Sequence, residues 1–215
     1  EQPESYFLKA ERLHGTKITL DYPSVGATEQ VLLSSVLADG VTELSNAAVE
    51  PEIIDLIAVL QKMGAIISVD TDRVITVVGV AKLNGYNHTP IPDRLEAASW
   101  ACMAAATNGR IKVIGAHQLD MMTFLNKFRQ VGGGFDITDE GITFYRATPE
   151  LKSISLETDV HPGFMTDWQQ PFVVLLTQAQ GTSVVHETVY DGRFGYVEAL
   201  NKMGAQIQLY NQCLG

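Results

Sequence analysis

Hydrophobic and polar positions along this 215-residue chain switch between a period near two and a period near 3.6, and the same switching recurs. Three segments overlay at a spacing of about 70 residues. A first glycine falls at Gly40, Gly109 and Gly181, steps of 69 and 72, and a second at Gly64, Gly132 and Gly204, steps of 68 and 72. Each first glycine is followed by a short β-prone run: VTELS, IKVIG or SVVHE. An amphipathic helix comes next, over residues 52–63, 119–131 and 194–203, with Ile53, Ile57 and Leu60 or Met121, Leu125 and Phe128 at helical spacing. Gly64, Gly132 and Gly204 close these helices as C-caps. Two short strands are expected after the cap, as at 65–69 and 74–78.

Each copy opens with a helix of another character, over 29–38, 95–107 and 168–180, apolar nearly all round. Such a helix belongs in an interior, whereas a helix with one charged side belongs nearer the surface. The unit therefore reads strand, buried helix, strand, amphipathic helix, strand, strand. This is an inside-out α/β arrangement that neither the Rossmann pattern nor the TIM barrel predicts. Polar, proline-containing stretches at 84–92 and 148–152 are linker candidates, and the first divides the chain into domains 1–91 and 92–215. The chain starts at Glu1 rather than Met and stops within its third copy, soon after Asn211, which predicts a piece of a longer protein.

Composition narrows the function classes. Hydrophobic residues make up 46% and charged residues 19%, an ordinary globular balance. The 25 acidic residues against 15 basic ones leave a net charge of -10, which excludes a general nucleic-acid binder. An anionic substrate must then be met locally, by a few Arg or Lys side chains and by helix N-termini. The most apolar stretch, 97–106, is about half the length needed to cross a bilayer, and no charged-then-apolar leader precedes it. A soluble, cytoplasmic protein with no membrane partner is expected. Cys102 and Cys213 make neither a disulfide framework nor a zinc set, and Cys102, among apolar neighbours, reads as an inert core thiol. His14, His88, His117, His161 and His186 show no metal-ligand spacing, so no metal and no cofactor is expected. The triplet Gly132-Gly133-Gly134 follows a helix rather than opening one and reads as cap and turn.

Three short loops precede the apolar helices: Pro23-Ser24-Val25-Gly26-Ala27-Thr28, Pro92-Asp93-Arg94 and the 161–168 stretch HPGFMTDW. Free N–H groups and the helix dipole suit these places to phosphates or carboxylates, although for any one loop taken alone N-capping by Ser, Thr or Asp is the commoner use. Asp167, beside Phe164 and Trp168, is the best general-base candidate. Glu50 precedes Pro51, a first-turn proline, and stands where Ser or Asp would cap better, which invites a second role. Arg94 and Arg193 are suited to neutralising an anion or to answering a nearby carboxylate, Asp93 or Asp191.

Together, SVGATE (24–29), EPEIIDL (50–56), PDRLE (92–96), HPGFMTDWQ (161–169), ETVYDGRF (187–194) and LNKMGA (200–205) resemble the UDP-N-acetylglucosamine enolpyruvyl transferases, and the likeness covers essentially the whole chain. The resemblance implies a fold of two inside-out α/β domains, each of three such units around buried helices. This chain would supply the last unit of one domain and two units of the other. It also implies a metal-free transfer in which the sugar 3-hydroxyl adds to C2 of phosphoenolpyruvate and phosphate is then lost. By position, Asp167 matches the acid that takes the hydroxyl proton and contacts the sugar. Tyr22, Pro23, Ser24, Val25 and Gly26 fall in the loop that holds the uridine diphosphate, and Val189 matches a second nucleotide-sugar contact. Glu50, Asp93 and Arg193 match polar residues of the family's cleft. Met165 replaces a family Pro, and Asp191-Gly192 replaces Glu-Asn. The family's Lys-Asn pair, the loop with its reactive Cys and phosphate-binding Arg, and a C-terminal Arg match nothing here, so the isolated chain is expected to be inactive and its apolar barrel surface open to self-association. The sibling transferase acting on shikimate 3-phosphate shares the repeat but not the pairing of SVGATE with HPGFMTDWQ. A non-catalytic scaffold is the reading from another class.

Overall fold

One β-sheet topology recurs along the chain, in a computed structural model that describes residues 7–210, which fall into two compact units divided between Ile91 and Pro92. In the first unit, β1 (Lys17–Thr19), α1 (Val25–Ser35), β2 (Val41–Ser45), α2 (Pro51–Lys62), β3 (Ile66–Val69) and β4 (Ile75–Val78) follow in order. They form a sheet of order β1-β2-β4-β3, with β1 parallel to β2 and the other pairs antiparallel. In the second unit, α3 (Arg94–Ala106), β5 (Arg110–Ile114), α4 (Met122–Val131), β6 (Gly133–Thr138) and β7 (Gly141–Arg146) repeat that plan. The order β5-β7-β6, antiparallel throughout, reproduces β2-β4-β3.

The third copy has a different frame. Strands β8 (Leu151–Lys152) and β9 (Ser155–Glu157) lead through a 3-10 turn at Thr166–Trp168 into α5 (Gln169–Leu176). Strands β10 (Ala179–Gln180) and β11 (Val184–His186) follow, then α6 (Val197–Lys202). Here β10 pairs with β8 and β11 with β9, both parallel, as short two-stranded sheets. The apolar helix expected over 168–180 is therefore shorter, because residues 179–180 leave it to pair with Leu151 and Lys152. No strand leads into α3, unlike β1 before α1. The segment there carries Pro90 and Pro92, which lack the N–H a ladder needs. It is held instead by side chains, His88 Nε2 lying 2.9 Å from Asp55 and Lys62 Nζ donating to His88 Nδ1 at 2.8 Å.

The caps explain the glycine markers. Gly132 closes α4 at φ 112°, a left-handed conformation that costs a residue with a Cβ. The other marker series is less regular: Gly40 and Gly181 have positive φ, but in the middle copy Asn108 takes that role at φ 55°, and asparagine tolerates it.

Each unit has its own core. In the first, Leu32 and Val36 from the α1 end meet Ile53, Ile57 and Leu60 of α2 and Ile75 and Val77 of β4. In the second, the small residues Ala97, Ala98, Ala101 and Ala105 let α3 pack against α5 and β7, and Cys102 is a buried free thiol, as expected. The opening helices were expected to be covered on every side; the structure leaves one side of each open, at Leu33, at Trp100 and Met103, and at Val174. Their apolar residues outnumber the neighbours that either unit offers them. Cys213 and the end of the third copy lie outside the described residues. Among the described residues no helix is long and apolar enough to cross a membrane.

Candidate functional site

The loop carrying Asp167 is pinned at both ends by the core. Phe164 and Trp168 are buried, each packing on Phe124, and Phe164 also meets Phe172 edge-on at 5.2 Å between centroids. Such aromatic pairs add about 0.5–1.5 kcal/mol each beyond area burial. With its two aromatic neighbours turned inward, Asp167 itself faces outward, its side chain 37% exposed. The apolar setting expected around its carboxylate is thus replaced by a charge: Arg193 Nη2 donates to Asp167 Oδ1. This also corrects the expected partner of Arg193, which is not its sequence neighbour Asp191 but an acid 26 residues away. Chain proximity favoured Asp191, whereas the turn after β11 brings the guanidinium back over the 166–170 stretch.

The guanidinium uses all its faces. Arg193 Nη1 donates to Thr166 Oγ1 at 2.8 Å, and its plane lies over the Tyr190 ring at 5.1 Å. With the Gln170 amide turned so that both its ends are satisfied, Gln170 accepts from Arg193 Nε at 2.8 Å. Held at three nitrogens, Arg193 fixes one oxygen of Asp167 and leaves the rest of that carboxylate toward solvent.

Beneath this pair lies a carboxylate that motif reading passed over. Glu187 is 3% exposed. Its Oε1 accepts from Thr158 Oγ1 at 2.8 Å and from the N–H groups of Val189 at 2.9 Å and Tyr190 at 3.2 Å. Its Oε2 accepts from Thr166 Oγ1 at 2.9 Å and Gln169 Nε2 at 3.3 Å. The Tyr196 hydroxyl donates to Gln169 Oε1 at 2.5 Å; burial first, then the Glu187 charge, pushes the Tyr196 phenol well above its ordinary value and keeps it a donor. A signal for Glu187 was present: strand alternation puts it on the same face as Val185, the inward one.

In the first unit, Ser24 is the N-cap of α1, its Oγ accepting from Ala27 N at 3.3 Å, so the capping alternative is realised there. Thr28 N–H is met by the Ser24 carbonyl, and Thr28 Oγ1 accepts from Ala48 N at 2.9 Å, which ties the 24–28 turn to the stretch before Glu50. Tyr22 and Gly26 are exposed, Pro23 and Val25 half-buried, and a Cβ added at Gly26 would meet open space. Glu50 occupies the N-cap position of α2 ahead of Pro51 but makes no capping bond. It is 7% exposed, and its Oε2 has no partner. A carboxylate oxygen buried without a donor is costly.

In the second unit, Asp93 caps α3, accepting from Leu95 N at 2.7 Å and Glu96 N at 3.2 Å. Arg94 is buried, donates to the Asp120 carbonyl at 3.3 Å and lies over the Trp168 ring at 5.3 Å. A cavity of about 30 Å³ sits there against Asp120, Thr123 and His161, room for about a water or two and no sugar. The structure thus gathers Asp167, Arg193 and Val189 around Glu187, whereas Asp93 serves its own helix. Among the described residues no group of three or more His, Cys, Asp or Glu is placed to hold a metal ion.

Comparisons with known proteins bear on the family and the fold. A UDP-N-acetylglucosamine 1-carboxyvinyltransferase of Protochlamydia amoebophila is 58% identical over 98% of the chain and 46% of its own length. One of Chlamydia pneumoniae is 50% identical over 97% of the chain and again 46% of its own length. The chain therefore spans about half the length of the curated relatives it matches. Among solved structures, the enolpyruvyl transferase NikO from Streptomyces tendae overlays 94% of this chain and 51% of its own with a TM-score of 0.83 at 22% identity, a likeness of fold. The model of one protein family matches residues 5–214. The chain belongs to that family, EPSP synthase (3-phosphoshikimate 1-carboxyvinyltransferase).

Proposed function

We propose that the protein carrying this chain transfers the enolpyruvyl group of phosphoenolpyruvate to the 3-hydroxyl of UDP-N-acetylglucosamine, releasing phosphate. The observation that carries the reading is the Asp167 carboxylate, half fixed by Arg193 and half open, in a segment whose relatives at 50–58% identity bear that acceptor in their names. In this reading Asp167 takes the hydroxyl proton as the sugar oxygen bonds to C2 of phosphoenolpyruvate and C3 takes up a proton from solvent, to which the later step returns it. The tetrahedral adduct then loses a proton from C3 while the bond from C2 to the phosphate oxygen breaks, which restores the double bond and frees inorganic phosphate. A general base of this kind is worth about 10²–10⁴-fold in rate.

The diphosphate is assigned to the start of α1. Capping uses the N–H groups of Ala27 and Thr28, so those of Val25 and Gly26 remain for an acceptor from outside the helix, and no acidic residue stands in that first turn. Tyr22 and Pro23 lead into this turn and complete the loop. At Val189 the N–H is held by Glu187, so a nucleotide-sugar contact there uses its carbonyl or side chain. Glu50, Asp93 and Arg193 are proposed as further polar contacts, the two carboxylates to hydroxyl or N–H groups of the substrates, Asp93 beside its capping role, and the guanidinium to an anionic oxygen. Both substrates are small molecules of the cytoplasm, which is where we place the protein.

Calorimetric titration of the chain with UDP-N-acetylglucosamine tests this reading, with Asp167→Ala and shikimate 3-phosphate as controls. Saturable binding of the nucleotide sugar alone, weakened in the variant, supports it; binding of shikimate 3-phosphate instead favours the acceptor named by the family's own description. Absence of both from a folded chain means that segments outside this chain make the site, and leaves the family assignment standing on sequence alone.

A further inference from the structure

We infer that Glu187 is a positioning residue, the buried anion that sets the geometry of Asp167, Arg193 and Val189 for the transfer just proposed, on which this inference rests. The logic is one of donors. An arginine can only donate, so Thr166 Oγ1 accepts from Arg193 Nη1 and must spend its own proton elsewhere. It spends it on Glu187 Oε2, 2.9 Å away. The orientation of the Arg193 fork, and with it the oxygen of Asp167 that the other amino group holds, is thus set from below by a group that touches neither. Glu187 Oε1 sets the other side, gathering the N–H groups of Val189 and Tyr190 so that the chain turns back toward Arg193. Thr158, from the segment after β9, completes the clamp by accepting from Thr188 N at 2.9 Å while donating to Glu187.

The charge is required as well as the shape. Three N–H groups and two hydroxyls converge on one carboxylate, and an acceptor at both oxygens answers all five at once. An amide at 187 must turn an NH2 toward one side. Toward Thr166 and Gln169, it meets Gln169 Nε2 and takes away the acceptor of the Thr166 proton. Toward Thr158, it meets two backbone N–H groups. Gln169 cannot compensate by turning over, since its oxygen holds the Tyr196 hydroxyl.

The test is steady-state kinetics of the gene product that carries this sequence, with Glu187→Gln, Thr166→Val and the double variant, each checked for a wild-type unfolding transition. Glu187→Gln is expected to lower kcat about 10- to 100-fold, the range seen when an outer partner of a site residue is removed, with KM for phosphoenolpyruvate within about twofold of wild type. Thr166→Val, which keeps the packing and removes the relay, is expected to lower kcat by a similar factor, and the double variant to fall by much less than the product of the two. If Glu187→Gln does not fold, Thr166→Val alone decides through the same split between kcat and KM. Unchanged kcat in folded variants, or fully multiplicative losses, overturns the inference while leaving the functional reading in place. A wild-type protein inactive toward UDP-N-acetylglucosamine overturns that reading, and this inference with it.

Discussion

Arg193 and Asp167 are joined through one guanidinium amino group while the other holds Thr166, so the acid and its arginine form a forked unit. Lysine carries the same charge but offers a single point of attachment and cannot hold Thr166 and Asp167 together. Arg193→Lys is therefore expected to lower kcat/KM about 100-fold through misplacement of Asp167, the proposed base, while stability changes by less than about 1 kcal/mol because the pair is partly exposed. Kinetics and urea unfolding of the same preparation check both halves.

Gly26 separates capping from ligand binding. It lies in the first turn of α1 with open space where a Cβ would stand, so Gly26→Ala is expected to raise stability by up to about 1 kcal/mol through helix propensity. The same methyl group would stand in the path of a diphosphate approaching the Val25 and Gly26 N–H groups. Affinity for UDP-N-acetylglucosamine is expected to fall at least tenfold, and calorimetry beside thermal unfolding would show the two changes moving in opposite directions.

Phe124 ties α4 to the loop of Asp167 through Phe164 and Trp168 and to α5 through Phe172, and stacks on Phe128 within its own helix. Phe124→Ala is expected to cost about 3–5 kcal/mol, with part of the loss showing first as a red shift of the buried Trp168 emission. A loss under about 1 kcal/mol in urea would mean that the loop is held some other way.

Burial pushes the Cys102 thiol far above its ordinary 9.0. The folded state therefore keeps a proton there that the unfolded chain releases, so this contribution to stability is complete below about pH 9 and declines as pH rises further. Iodoacetamide at pH 8 should leave Cys102 unmodified in folded protein and label it in denaturant, as read by mass spectrometry of its peptide.

Much of this architecture was legible because it depends on short-range periodicity. The 3.6-residue spacing of Ile53, Ile57 and Leu60 and the glycine cap after it specified α2, and the same pattern repeated at α4 specified a second run of the same elements, whereas the strand order within each sheet came from the structure. What was not legible depends on where loops return. The pairing of Arg193 with Asp167 rather than Asp191 follows from the turn after β11, which no local pattern encodes. The missing strand before α3 follows from two prolines whose effect was read as a linker. Glu187 was legible in principle: alternation placed a carboxylate on an inward face, and a buried acid requires donors, which Thr158, Thr166 and Gln169 supply.

The acceptor is the centre of the account, and phosphate release measures it most directly. The gene product that carries this chain is to be incubated with phosphoenolpyruvate and either UDP-N-acetylglucosamine or shikimate 3-phosphate, with Asp167→Asn in parallel. Phosphate should appear with the nucleotide sugar alone and fall about 100-fold or more in the variant. Release with shikimate 3-phosphate, or release undiminished in Asp167→Asn, would contradict the assignment of both acceptor and base.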